Sequence, residues 1–172
     1  GMGSERDYFQ RAMTNKHTSH LRMNYYPEEG KPVDGAVNAP FGVGPHTDSG
    51  FLTILAQDEK VHTLQVQDSL TGEWVGVPPV PGAFTINTGD LSVVFSNGLY
   101  HAPVHRVLTT TVERYSAPYF YNPSYATEIS PIPALVTAVS PAQFHPLPWG
   151  YFRAMRVMGN FGDFGEYVKI DH

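Results

Sequence analysis

Two short polar signatures and one further histidine carry the chemistry this chain could do. His46-Thr47-Asp48 is an H-x-D. On a strand, positions i and i+2 project from one face, so this imidazole and carboxylate could converge on a single ion. Standing alone, the pair is equally a surface strand carrying two polar side chains. His105 adds a third donor at the head of the run His105-Arg106-Val107. Two imidazoles and one carboxylate on one side of a metal leave its other side open. That suits Fe(II) that must bind both a co-substrate and dioxygen, although the same donors also fit Mn or Zn. Arg114-Tyr115-Ser116 repeats the same-face spacing on the next predicted strand. A guanidinium grips a carboxylate through two parallel hydrogen bonds, and the serine hydroxyl adds a third donor. Alone, that pair is an ordinary ion pair and a strand serine; behind a metal ligand it reads as a carboxylate clamp.

These residues need a framework of strands. Gly and Pro number 16 and 15 among 172 residues, which favours strands and turns over a helix bundle. The spacing predicts strands over 21–26, 51–56, 63–67, 73–77, 83–87, 105–110 and 115–121. Turns are expected at Asp68 to Gly72, Pro78 to Gly82, Thr88-Gly89-Asp90 and Ser96-Asn97-Gly98. The stretch from Glu28 to Gly44 reads as a Pro/Gly loop leading into the H-x-D, placed to act as a lid or a substrate-selecting element. A short helix is expected from an N-cap at Ser4 to Met13, and a closing helix over 149–158 stopped by Gly159. Short antiparallel strands at this density predict a sandwich or barrel.

Composition narrows the function classes. One domain over 1–172 is expected, with Gly1 ahead of Met2 read as an added residue outside the fold. The net charge of −5 argues against nucleic acid as a partner. The absence of a long apolar run argues against a membrane span. With 0 cysteines there is no disulfide, thiolate-bound metal or cysteine nucleophile. No targeting signal is visible, so a cytoplasmic location is expected.

Beyond these motifs the chain resembles the C-terminal catalytic core of the isopenicillin N synthase-like, Fe(II)- and 2-oxoglutarate-dependent dioxygenases. The matching pieces begin with the run from Leu21 through Asn24-Tyr25-Tyr26-Pro27, followed by Gly44-Pro45-His46-Thr47-Asp48. Next come Leu64-Gln65-Val66, Gly72 through Phe84, Asn87-Thr88-Gly89-Asp90 and Ser96-Asn97-Gly98. His105-Arg106-Val107 and Arg114 through Phe120 close the series. They occur in the family's order and with family-like spacing from Leu21 to Pro123.

The resemblance implies a mainly β fold, a double-stranded β-helix or distorted jelly-roll. It implies iron on His46, Asp48 and His105. It implies 2-oxoglutarate held at its far carboxylate by Arg114 and Ser116, with Tyr26 and Asn24 beside it. Dioxygen would complete the reaction, with ascorbate as a reductant. The reaction implied is hydroxylation or desaturation of a small organic molecule with release of succinate and CO₂. Relatives that use R-x-S on other carboxylates leave a 2-oxoglutarate-independent iron oxidase as an alternative. A non-catalytic metal-binding jelly-roll is another, because the family's usual N-terminal region is expected to be missing here. A zinc hydrolase on the same three ligands leaves Arg114 and Ser116 unexplained. Trp74 is expected in the core, and Asn87 and Asp90 are expected to serve a turn. His101 is expected at the pocket rim or surface, His62 in a solvated loop and His145 in packing. Tyr100, Tyr119 and Tyr121 are candidates to line the substrate pocket.

Overall fold

Short β-branched and aromatic stretches become strands here, and Pro and Gly decide where they stop. The computed structural model describes residues 4, 6–13, 16–28, 41–159 and 169–170. In chain order the strands are β1 (His20–Leu21), β2 (Asn24–Tyr26), β3 (Phe41–His46), β4 (Leu52–Gln57), β5 (Leu64–Gln67) and β6 (Trp74–Gly76). They continue with β7 (Thr85–Thr88), β8 (His105–Leu108), β9 (Arg114–Tyr121), β10 (Glu128–Ile129) and β11 (Leu147–Pro148). The helices are α1 (Tyr8–Met13), α2 (Asp90–Phe95) and α3 (Trp149–Val157), and Pro133–Leu135 makes one 3₁₀ turn.

All pairings are antiparallel. One sheet runs β1–β9–β4–β7, with β2 also paired to β9, and the second runs β3–β8–β5–β6. The pair β10–β11 stands apart. The two larger sheets form the expected jelly-roll, the double-stranded β-helix, and the cavity described below lies between them, lined from both.

The strand expected over 21–26 is broken into β1 and β2. Leu21 pairs with Tyr119 and Asn24 with Ser116, which sets the break opposite Pro118. Arg22 donates its backbone N–H to the Pro118 carbonyl at 3.0 Å. Proline has no N–H to return, so the ladder lapses for one step.

Three further elements differ from expectation. Strand β3 begins at Phe41, inside the stretch Glu28 to Gly44 expected to be a loop and lid; residues 29–40 of that stretch lie outside the described residues. Helix α2 occupies the apolar run after the Thr88-Gly89-Asp90 turn, and every one of its residues is buried. Helix α1 starts at Tyr8, four residues after the expected Ser4 cap. The Asp7 carbonyl accepts the Arg11 N–H, and its carboxylate meets the Arg11 guanidinium at 2.9 Å.

The apolar core sits to one side of the sheets. Leu91, Val94 and Phe95 of α2 pack with Trp149 and Phe152 of α3, and with Phe51, Ile129, Ile132 and Phe144. The buried Trp149 indole N–H donates to Thr18 Oγ1 at 3.0 Å, which meets its polar demand. Trp74 is not part of this core. It lies half-buried on β6, an edge strand paired only with β5, and the Arg106 guanidinium covers its ring at 3.9 Å. His145 is exposed and not packed, although its neighbour Phe144 is buried.

Candidate metal centre and carboxylate site

Strand register assembles the site from residues far apart in sequence. His46 at the end of β3 pairs directly with His105 at the start of β8. Asp48 lies two residues past the end of β3, so the H-x-D does not sit on one strand as expected; the chain leaves the strand at Thr47 and still brings the carboxylate to the histidines. The nearest donor atoms of His46, Asp48 and His105 all lie within 4.8 Å of one another, close enough for one ion to touch all three. Asp48 Oδ1 is 3.8 Å from His46 Nε2 and 3.7 Å from His105 Nε2.

Each ligand is held by a second contact. His46 Nδ1 is 2.8 Å from the Gly44 carbonyl and His105 Nδ1 is 3.0 Å from the Pro103 carbonyl. A carbonyl can only accept, so each Nδ1 carries the proton and each Nε2 lone pair is left for a metal. Burial, then the facing His105 ring, holds the His46 pKa below its ordinary value, against the opposing pull of the Gly44 carbonyl and Asp48. The neutral imidazole is the form that ligates. Asp48 Oδ2 accepts from Thr53 Oγ1 at 2.6 Å and from Asn87 Nδ2 at 2.9 Å, which turns Oδ1 towards the histidines. Thr53 and Asn87 are themselves opposite one another on β4 and β7. Asn87 therefore supports the carboxylate and not merely a turn.

Asp90 also does more than serve a turn. It is fully buried in the first turn of α2, with its carboxylate 3.3 Å from Arg156 of α3. Arg156 also donates to the carbonyl and hydroxyl of Thr47, the residue between the first two ligands. The Asp90 N–H donates to the Asp48 carbonyl at 2.8 Å. Gly89 allows this approach, because a Cβ there would meet the Asp48 carbonyl at 2.7 Å.

The carboxylate-binding residues are also cross-strand pairs. Tyr26 stands opposite Arg114 and Asn24 opposite Ser116 on β2 and β9. Asn24 Nδ2 donates to Ser116 Oγ at 3.2 Å, and the Arg114 guanidinium lies 4.9 Å from the centre of the Tyr26 ring. That ring rests on Gly42, where a Cβ would come within 2.8 Å of it. Arg114 is 1% exposed. Its Nη2 reaches Gln57 Oε1 at 3.3 Å, but Nε and Nη1 have no hydrogen-bond partner among the described residues. A buried cation lacking a partner is costly, and the cost falls when an anion arrives.

All seven residues border one cavity of about 400 Å³. Its walls are apolar, including Leu55, Leu64, Val66 and Val107. Two neutral imidazoles and a carboxylate without thiolate are a donor set for Fe(II), and the orphaned Arg114 donors suit the far carboxylate of 2-oxoglutarate. Both groups fit the residues present. On β9 the cavity side is Arg114, Ser116, Pro118 and Phe120. Tyr119 and Tyr121, expected in the pocket, therefore point away; Tyr100 does not line it either, and Phe120 takes that place. His101 and His62 are exposed, as expected.

Comparison with known proteins agrees with this geometry. The model of the 2OG-Fe(II) oxygenase superfamily matches residues 17–123. Jasmonate-induced oxygenase 3 of Arabidopsis thaliana is 39% identical over 155 residues, covering 88% of this chain and 41% of that protein. Thebaine 6-O-demethylase of Papaver somniferum is 41% identical over 128 residues, covering 74% of this chain and 33% of that protein. The chain thus spans well under half the length of these relatives. Among solved structures, JOX2 in complex with 2OG, Fe and JA aligns with a TM-score of 0.76 at 34% identity, over 90% of this chain and 44% of that one. The dioxygenase for auxin oxidation of rice aligns with a TM-score of 0.76 at 32% identity, over 88% of this chain and 51% of that one.

Proposed function

The chain belongs to the 2OG-Fe(II) oxygenase superfamily, and from that membership we propose that it oxidises a small organic substrate with Fe(II), 2-oxoglutarate and dioxygen, yielding succinate and CO₂. The observation that carries this reading is the buried, half-partnered Arg114 in the same cavity as the His46, Asp48 and His105 cluster.

In this reading His46 and His105 ligate through Nε2 and Asp48 through Oδ1. When bound, the iron supplies the activation of dioxygen that no side chain provides. The protein's own contribution is placement. Thr53 and Asn87 keep the Asp48 carboxylate turned to the metal. Arg114 and Ser116 fix the far carboxylate of the co-substrate, Asn24 orients the serine hydroxyl, and Tyr26 covers the guanidinium. The apolar wall excludes water, which strengthens the Arg114 contact and limits unproductive turnover.

The test is release of CO₂ from 2-oxoglutarate labelled at C1, in air, with Fe(II) and ascorbate. Release that depends on the protein and vanishes in Asp48→Ala supports the reading. Tight Fe(II) binding without any release would favour an iron oxidase acting directly on a carboxylate substrate.

A further inference from the structure

One side chain touches every other strand of the sheet that carries both histidine ligands. Arg106 follows His105 on β8. Its guanidinium lies 3.9 Å from the centre of the Trp74 ring on β6 and 5.3 Å from that of Phe41 on β3. Its Nε donates to Gln65 Oε1 on β5 at 2.8 Å, and Gln65 stands directly opposite it in the ladder. His105 and Val107 line the cavity, whereas Arg106 and its three partners do not. The cluster therefore occupies the outer face of the sheet, away from the metal ligands.

The sheet needs a tie there because β3 is irregular. Phe41 pairs with Leu108, Val43 with Val107 and His46 with His105, and the register shifts in both intervals. The 6 residues of β3 thus run beside the 4 of β8, with one extra residue on β3 at each shift. Val43 and His46 both line the cavity, although unbroken alternation would put them on opposite faces. His46 faces the metal site only because of the second shift. A slip of β3 by one residue would set Pro45 opposite His105, and proline brings no ligand. The same slip would pull the Phe41 ring off Arg106.

We propose that Arg106 is a positioning residue for the metal centre: held by Trp74, Gln65 and Phe41, it fixes the register that sets His46 opposite His105. The proposal rests on the reading that His46, Asp48 and His105 hold a divalent cation, and deepens it. A guanidinium suits the task because it is planar. Its face stacks on aromatic rings while its edge still donates hydrogen bonds. The clamp acts on the ligands only through the backbone of β3 and β8, from the side of the sheet that no substrate reaches.

The test is anaerobic titration of the full apo chain with Fe(II) against a competing chelator, and with Co(II), whose visible absorption reports its ligand set. Circular dichroism verifies that each variant is folded. Arg106→Leu should weaken Fe(II) binding about tenfold or more and change the Co(II) spectrum. Phe41→Leu should weaken it about threefold or more, and Phe41→Leu/Arg106→Leu should match Arg106→Leu within a factor of about 2, because both changes break one contact. A folded Arg106→Leu with a lower melting temperature, but with Fe(II) affinity within a factor of about 2 of the original and an unchanged Co(II) spectrum, overturns the proposal, since the clamp then stabilises without positioning. Effects that multiply in the double variant overturn the link from Arg106 to β3. Where Arg106→Leu does not fold, Trp74→Leu takes its place, on a strand that bears no ligand. It should weaken Fe(II) binding about threefold or more and shift the Co(II) spectrum, and an unchanged affinity and spectrum overturns the proposal. Failure of the unsubstituted protein to bind either ion instead overturns the metal reading on which the proposal rests.

Discussion

Thr53→Val tests how the protein aims its carboxylate ligand. The change is nearly isosteric and removes one of the two donors on Asp48 Oδ2, the 2.6 Å bond from Thr53 Oγ1. Asn87 Nδ2 at 2.9 Å remains. A hydrogen bond to a charged group contributes about 1.5–3 kcal/mol, and tenfold in affinity corresponds to about 1.4 kcal/mol. The single variant should therefore weaken Fe(II) binding roughly 10- to 100-fold, in line with other outer contacts to metal ligands. Thr53→Val/Asn87→Leu should weaken it further, because Oδ2 then lacks both donors and the carboxylate is free to rotate. The assay is anaerobic Fe(II) titration of apo protein against a competing chelator, with circular dichroism to verify the fold. Fe(II) affinity of a folded double variant within a factor of about 2 of the original would refute the reasoning, since the two bonds would then be structural and not directional.

Other outcomes follow from the same contacts. Arg114→Met should weaken 2-oxoglutarate binding severely yet raise the stability of the ligand-free protein by about 1–2 kcal/mol, because it removes a buried, under-partnered cation; a lower melting temperature would contradict this. Gly89→Ala should destabilise by more than about 2 kcal/mol, since its Cβ would press on the H-x-D backbone; urea unfolding checks it. His46 has its pKa held below the ordinary 6.5 by burial and His105. Protonation is therefore harder in the folded state than in the unfolded one, and the associated stability, present above pH 6.5, is lost as pH falls through the lower folded value. Apo protein should lose stability on acidification through that window, and His46→Gln should flatten the loss in a pH series of thermal melts.

The site was legible where alternation within one strand decided it. Arg114 with Ser116 needed only the two-residue repeat of β9, and both face one cavity; His46 and Asp48 meet in that cavity too, but β3 ends at His46, so Asp48 arrives from the segment beyond the strand and not by alternation. The same repeat already contained Phe120: it shares parity with Arg114 and Ser116, whereas Tyr119 and Tyr121 do not. Thr53 and Asn87 were hidden because their meeting depends on the register of β4 against β7, which no local pattern specifies. The Asp90–Arg156 pair needed the docking of α2 against α3, again a long-range fact. Helix α2 escaped because Leu91-Ser92-Val93-Val94-Phe95 is too short for its period to separate helix from strand. The split of β1 from β2 was in principle readable, since Pro118 cannot complete a ladder, but only once its partner strand is known.

The central claim is that one cavity holds iron and 2-oxoglutarate together, with Arg114 gripping the second. The most direct measurement is the visible spectrum of the anaerobic protein with Fe(II), before and after 2-oxoglutarate is added. The account predicts a metal-to-ligand charge-transfer band on addition, absent in Asp48→Ala and needing far more co-substrate in Arg114→Ala. Tight Fe(II) binding with no band at any 2-oxoglutarate concentration would contradict it.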